Sequence, residues 1–389
     1  MKVFSDRRHF IKTVIATSVA IGTGGLTACS EGHAKFAAPV DRNAFPQSVM
    51  SGDPTPNSVI LWTRYPSTKE QERLRLEVAT DANFDNIVAI ENVSVFREND
   101  YCVKVRVINL KPATYYYYRF MSVQGMHAIG SPTGRTKTAP ANDQDIPVKF
   151  AFVSCQDYIG RYYNTYFKIL EQDDLDFVVH LGDYIYETTG DASFQVISAE
   201  RGITFDDLAG AVHVKTANSD YYGAASLDNY RQLYRTYRTD PALQAVQERF
   251  PLVATWDDHE FSDDSWQINA TYYNGRKSEA ELQRKRNSEQ AWMEYLPIDH
   301  EAAFKGENIN DQEVILVDDS YLYPNTKIYR DFQFGQHLHL MLTDYRTYRP
   351  DHIIPEDAYP GTIVIDEAAL TSYYASLSDS ISNHTSLFT

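Results

Sequence analysis

The chain has 389 residues, 43% of them hydrophobic and 23% charged, which suits a globular protein with a large core and room for two domains. Its formal net charge of −17 argues against nucleic acid or an anionic membrane surface as a partner, so an anionic substrate would need positive charge supplied locally. Three cysteines, Cys29, Cys102 and Cys155, are too few and too odd in number for a disulfide framework.

Residues 1–29 read as an address. Ser5-Asp-Arg7-Arg8-His-Phe10-Ile11-Lys12 resembles a twin-arginine export signal, and the apolar stretch from Val14 to Gly25 is too short to span a membrane. Leu26-Thr27-Ala28-Cys29 resembles a bacterial lipobox. On that reading the twin-arginine machinery exports the chain, and Cys29 becomes a lipidated N-terminus in a periplasmic or membrane-anchored protein. The plainer alternative is an ordinary signal peptide with a chance cysteine.

Residues 30–44 form a tether, and residues 45–137 read as all-β. Ser58–Arg64, Arg73–Val78 and Cys102–Val107 have strand periodicity, separated by turn residues such as Gly52-Asp53-Pro54. Leu110-Lys-Pro112-Ala-Thr114-Tyr-Tyr116-Tyr-Tyr118 resembles the fibronectin type III tyrosine corner, in which a tyrosine hydroxyl bonds back to nearby backbone. Its four tyrosines should alternate, two of them facing the core. A domain linker is expected at 138–147.

From residue 148 the pattern changes to α/β. Val148–Ser154, Asp176–His180 and Pro251–Thr255 are short apolar runs of the kind buried in parallel sheets. The helical run Tyr162–Leu170 links the first two as a βαβ unit. Residues 188–222 read as a long excursion near the site. Helices are expected from Leu227 and from Ser278 to Tyr295, and a last strand over Leu338–Thr343.

Each apolar run ends in chemistry. The first ends in Cys155, the second in Asp183 with Tyr186 and Glu187 close behind, and the third in Asp257-Asp258-His259-Glu260. Open α/β sheets bind ligands at that edge. Carboxylates crowded there stay ionised only with a cation between them. A lone Asp after glycine is more often a helix cap, and a lone buried cysteine usually just packs. A thiolate and a phenolate both favour ferric iron over magnesium. His337 and His339 share a strand face, with a polar-face role as the plainer reading. Arg161, Arg346 and Arg349 are the phosphate-binding candidates, although surface pairing is commoner for any one arginine. No Gly-x-Ser-x-Gly, P-loop or Rossmann glycine fingerprint occurs.

Taken together, Ser154-Cys155-Gln156, the run from His180 to Glu187, and Trp256–Glu260 resemble the alkaline phosphatase D (PhoD-like) family of calcineurin-like metallophosphoesterases. The resemblance implies a fibronectin III-like β-sandwich followed by an α/β metallophosphoesterase domain over 148–389, incomplete at its C-terminus. It implies an exported phosphomonoesterase and phosphodiesterase with an Fe3+ and Ca2+ centre and a metal-activated hydroxide. Cys155, Asp183 and Tyr186 fall on the iron ligands, with Asp183 bridging to calcium. Asp257 belongs to the motif completing the site, and Asp258 and His259 lie nearest the chemistry. Asp263 stands where relatives often carry asparagine, and is expected to bind metal. Arg161 is expected to bind substrate. Relatives continue past position 389 to a Gly-Asp-x-His-like motif, so the ending Ser386-Leu387-Phe388-Thr389 reads as a fragment, a truncated product or an unusual short form. A phospholipase D-like diesterase and a non-catalytic lipoprotein with a β-sandwich binding module are the alternatives.

Overall fold

Short β-branched and aromatic runs between turn residues make the first third of the described chain all strand. A computed structural model describes residues 38–350, apart from 197, 199, 216–218, 271–279 and 302–312. Cys29 and the export signal lie outside the described residues, as does everything after 350. The strands are β1 (Val49–Gly52), β2 (Val59–Arg64), β3 (Gln71–Ala79), β4 (Ile87–Phe96), β5 (Cys102–Val107), β6 (Tyr115–Gln124), β7 (His127–Gly130) and β8 (Gly134–Lys137). β4, β3, β6 and β7 pair in that order, with β8 also on β6. Tyr116 and Tyr118 are buried in this layer, and the Tyr116 hydroxyl accepts the Lys111 N–H at 2.8 Å.

The second segment contributes β9 (Phe150–Val153), α1 (Asn164–Leu170), β10 (Phe177–His180), β11 (Val212–Lys215), β12 (Asp220–Gly223), α2 (Leu227–Tyr237), α3 (Pro241–Arg249), β13 (Leu252–Ala254), α4 (Leu282–Tyr295), β14 (Glu313–Ile315), β15 (Arg330–Phe334) and β16 (Leu338–Leu342). β9, β10 and β13 are parallel. β11–β12 and β15–β16 are hairpins.

One seven-stranded sheet runs β14-β5-β2-β1-β13-β10-β9 and so joins strands from both segments. The segments join at β14 against β5 and at β1 against β13, where Gly52 pairs with Leu252. A Cβ on Gly52 would lie 2.6 Å from the Leu252 carbonyl oxygen and 2.5 Å from that of Pro297, so only glycine lets the two strands meet.

The shared strands are buried on both faces, and their side chains divide between two cores. Val59 and Leu61 of β2 pack into the N-terminal layer, while Trp62 reaches the core under the helices. There the Trp62 indole N–H donates to the Glu294 carbonyl at 2.7 Å, and the Arg238 guanidinium lies 3.6 Å from its ring. This double burial explains why β2 opens as a continuous hydrophobic run, Val59-Ile-Leu-Trp62.

Candidate metal centre

The parallel strands β9, β10 and β13 end on the same edge, and their tips are locally strained. Cys155 has φ 56° and Asp183 φ 55°, left-handed values that cost about 1–3 kcal/mol for a non-glycine residue. The backbone holds them there. The Cys155 N–H donates to the Gly182 carbonyl at 3.2 Å, and the Gln156 N–H to the Asp183 carbonyl at 3.0 Å. Gly182 has φ 111°, and a Cβ on it would lie 2.3 Å from the Asp257 nitrogen. Glycine here lets the tip of β10 touch the tip of β13.

Glu260 ties these tips together. Its buried carboxylate accepts the Asp183 N–H at 3.1 Å, the Tyr184 N–H at 2.7 Å and the Asp257 N–H at 2.8 Å. Burial, with Asp183 nearby, pushes its carboxyl up to about 8.

The Tyr186 hydroxyl donates to Asp183 Oδ2 at 3.2 Å, and the Cys155 thiol lies near enough to both to interact with them electrostatically. Asp183 Oδ1 is buried with no hydrogen-bond partner. Asp183, Asp258 and His259 each offer a ligand atom, all within 4.8 Å of one another. Asp258, Asp263 and Asp264 form a second such group, sharing Asp258 with the first.

His259 is fixed from behind, its Nδ1 lying 2.8 Å from Glu187 Oε2, while its Nε2 is 3.5 Å from Asp263 Oδ1. Glu187 also accepts the Asp263 N–H at 2.7 Å. The Tyr186 ring lies 4.0 Å from the His259 ring, and Phe194 packs 5.6 Å from each.

Crowding shows in the titration of these groups. Burial raises Asp183 to about 6, with His259 opposing and Asp258 adding. Burial and then Glu187 raise Asp263 to about 7. Burial pushes His259 down, but Glu187, Asp258 and Asp183 outweigh it and hold the imidazole at about 10. For Asp258, His259 and Arg346 outweigh burial and lower its carboxyl. Cys155 is raised, first by burial. Seven carboxylates (Asp183, Glu187, Asp257, Asp258, Glu260, Asp263 and Asp264) thus share one imidazole and the Arg346 guanidinium. The orphaned Asp183 oxygen and this excess of anionic donors fit a bound cation.

Two expected site residues, Asp257 and Arg161, belong to neither three-residue group. Asp257 stands outside both three-residue groups and accepts from Arg346 Nε at 2.6 Å. Arg161 donates to the Phe194 carbonyl at 2.7 Å, one layer behind Tyr186 and His259. His337 pairs with Asp145 and His339 with Asp331, each at 2.6 Å, away from the acids. Glu187, named in the sequence as close behind Tyr186 but not as a site residue, backs His259, and Asp264, not among the expected ligands, joins the second group.

Comparison with known proteins places this geometry. A profile described as PhoD-like phosphatase matches residues 150–372, and one described as PhoD-like phosphatase, N-terminal domain, matches residues 30–140. The chain belongs to the PhoD-like phosphatase family. It is 32% identical to alkaline phosphatase D of Bacillus subtilis (strain 168) over 358 residues, which is 89% of this chain and 54% of that protein. A solved structure of PhoD superposes with a TM-score of 0.61 at 32% identity, covering 82% of this chain and 54% of the other. The chain therefore spans about half the length of the PhoD-like relatives it matches. The profiles leave residues 141–149 between them, directly before β9.

Proposed function

We propose that this chain is a metal-dependent phosphoester hydrolase acting on phosphomonoesters and phosphodiesters. The observation that carries this reading is the convergence of Cys155, Asp183, Tyr186, Asp258 and His259 from three strand tips on one point, with an Asp183 oxygen left unpartnered. Family membership supports it. Asp183, Asp258 and His259 would hold a cation, with Cys155 and Tyr186 beside Asp183, and Asp263 and Asp264 beside Asp258. The thiol and phenol favour Fe3+ at the first position, and the all-carboxylate group suits Ca2+ at the second. Such cations neutralise phosphoryl oxygens and lower the pKa of water to near neutral.

The chain's own groups do the rest. Glu187 orients the His259 ring, so that Nε2 faces the cluster as its ligand atom. Glu260 holds Asp183 and Asp257 in register through their backbone N–H groups. Arg346 neutralises Asp257 and stands 3.4 Å from Asp258. The finer reading includes a fibronectin III-like N-terminal layer and a calcineurin-like second segment. It also includes export by the twin-arginine route and lipidation at Cys29, which gives a periplasmic or membrane-anchored protein.

The test is Asp183→Asn in the full chain, measuring bound iron and calcium together with hydrolysis of p-nitrophenyl phosphate and bis(p-nitrophenyl) phosphate. Loss of more than about 100-fold in metal affinity is expected, with activity falling in parallel. Unchanged metal content and unchanged rates would end the proposal.

A further inference from the structure

Beside the acid cluster lies a surface of the opposite character. The loop 344–349 packs directly on it: the Gln267 N–H donates to the Arg346 carbonyl at 2.9 Å, and Gln267 Nε2 to the Arg349 carbonyl at 3.0 Å. Asp344 pins the loop's start, its Oδ1 accepting the Trp256 indole N–H at 3.0 Å and the Thr347 N–H at 2.9 Å. From this braced backbone Tyr345 projects with 66% of its surface exposed. The guanidinium carbons of Arg346 and Arg349 lie 5.8 and 5.5 Å from its ring centre.

The strip continues. Tyr348 is 52% exposed, donates its hydroxyl to the Thr326 carbonyl, and meets Tyr329 edge-on at 5.9 Å. The Lys327 ammonium lies 5.0 Å from the Tyr329 ring. Three solvent-facing aromatic rings alternating with three cations are unusual on a chain of net charge −17. The Tyr348 ring is held by its hydroxyl bond and Tyr345 stands on a braced backbone, so less ordering entropy would be lost when a ligand stacks on them.

We propose that this strip is a leaving-group subsite for organic phosphates that combine a planar ring with a second phosphate, such as a nucleoside diphosphate. The inference rests on the phosphoester-hydrolase reading and names a substrate class for the same site. With one phosphate at the acid cluster beside Arg346, the second meets Arg349 or Lys327, and the ring stacks on Tyr345 or Tyr348. A glycerol phosphate offers neither the ring nor the second charge.

The experiment measures equilibrium binding of ADP and of glycerol 3-phosphate, each as its non-hydrolysable phosphonate analogue, by calorimetry, on the metal-loaded full chain, its Tyr345→Ala variant and its Lys327→Ala variant. Tyr345 is largely exposed, so the substitution does not endanger folding. The wild-type chain is expected to bind ADP more tightly than glycerol 3-phosphate. That preference should fall about 5- to 100-fold in Tyr345→Ala, by loss of stacking. In Lys327→Ala it should fall about 2- to 5-fold. Equal affinity for both ligands in the wild-type chain, or a preference unmoved in both variants, overturns the subsite. If the preference shifts as expected while no phosphoester is hydrolysed, the hydrolase reading falls and the subsite stands. Hydrolysis with an unmoved preference sinks the subsite alone.

Discussion

Buried acids occur in two regions of this molecule, and they are treated in opposite ways. In the scaffold several are held by guanidinium groups. Glu77 is held by Arg75 at 2.8 Å and Arg119 at 2.7 Å, Asp53 by Arg330 at 2.7 Å, and Glu294 by Arg231 at 2.7 Å. At the tips of β9, β10 and β13 seven carboxylates share His259 and Arg346. Where those scaffold acids meet guanidinium groups, this cluster gathers more carboxylates than cationic side chains, at the sheet edge where ligands bind. The mismatch marks where a cation belongs, and it makes the two regions respond oppositely to the same substitution.

The largest effect is expected in the scaffold. Glu294→Ala would strand Arg231, whose Nε and Nη2 both donate to that carboxylate at 2.7 Å between α2 and α4. Breaking a buried pair from one side should cost about 3–5 kcal/mol, read as a lower urea midpoint at constant slope. A cost below about 1 kcal/mol would mean that the scaffold pairs are no better matched than the site, and the contrast would collapse.

His180 sharpens the boundary between the regions. It is three residues from Asp183 yet behaves as scaffold. Its ring is fully buried, accepts the Gly182 N–H at 3.3 Å and packs 5.1 Å from Tyr184. Burial alone depresses it to about 3. The unfolded chain therefore binds a proton below about pH 6.5 that the folded chain refuses, so stability falls as pH drops through that range. By pH 5 the loss from this one group is about 2 kcal/mol. His180→Gln keeps an acceptor for Gly182 and removes the titration. Its stability difference between pH 7.5 and pH 5 should be smaller than that of the wild-type chain by that amount. An identical pH dependence in urea melts of the two proteins would show that His180 is not held neutral.

The sequence made the chemistry easier to read than the architecture, for a physical reason. Strand tips announce themselves: an apolar run followed by Cys155, by Gly182-Asp183 or by Asp257-Asp258-His259 needs no knowledge of what pairs with what. The strands over 150–153, 177–180 and 252–254, and the helices ending at Leu170 and Tyr295, lie within the expected runs. Helix α3 was missed, although Asp240-Pro241 is a sound start signal, with the Asp240 side chain accepting the Ala242 and Leu243 N–H groups at 2.9 and 3.0 Å. The seven-stranded sheet was not legible because the contact between β1 and β13 joins residues 200 apart, and periodicity carries no information about partners. Within the site, Asp257 could not be told from Asp258. Adjacent residues past a strand point different ways, and only the fold brings Arg346 up to claim the first.

The smallest predicted effect is also the most direct probe of the mismatch. Asp263 is half-exposed at the rim of the cluster, and burial together with Glu187 raises its carboxyl to about 7, against His259. A carboxyl raised in the folded state binds a proton there between about pH 4 and pH 7 that the unfolded chain has already released. Stability therefore declines as pH rises through that interval, and above it the ionised carboxylate is a net burden. Asp263→Asn lifts the burden. After discounting for its exposure, the metal-free variant should be about 1 kcal/mol more stable than the wild-type chain at pH 8, and indistinguishable from it near pH 4. Adding calcium should reverse the order, because a ligand that binds only the folded state stabilises in proportion to its affinity, and the variant has lost a donor. Thermal melts at pH 8 with EDTA and with calcium would read both signs in one experiment. A variant less stable than wild type in EDTA would mean that Asp263 is already paid for by His259, and the acid cluster would then be a self-sufficient ion-pair network with no need of a cation.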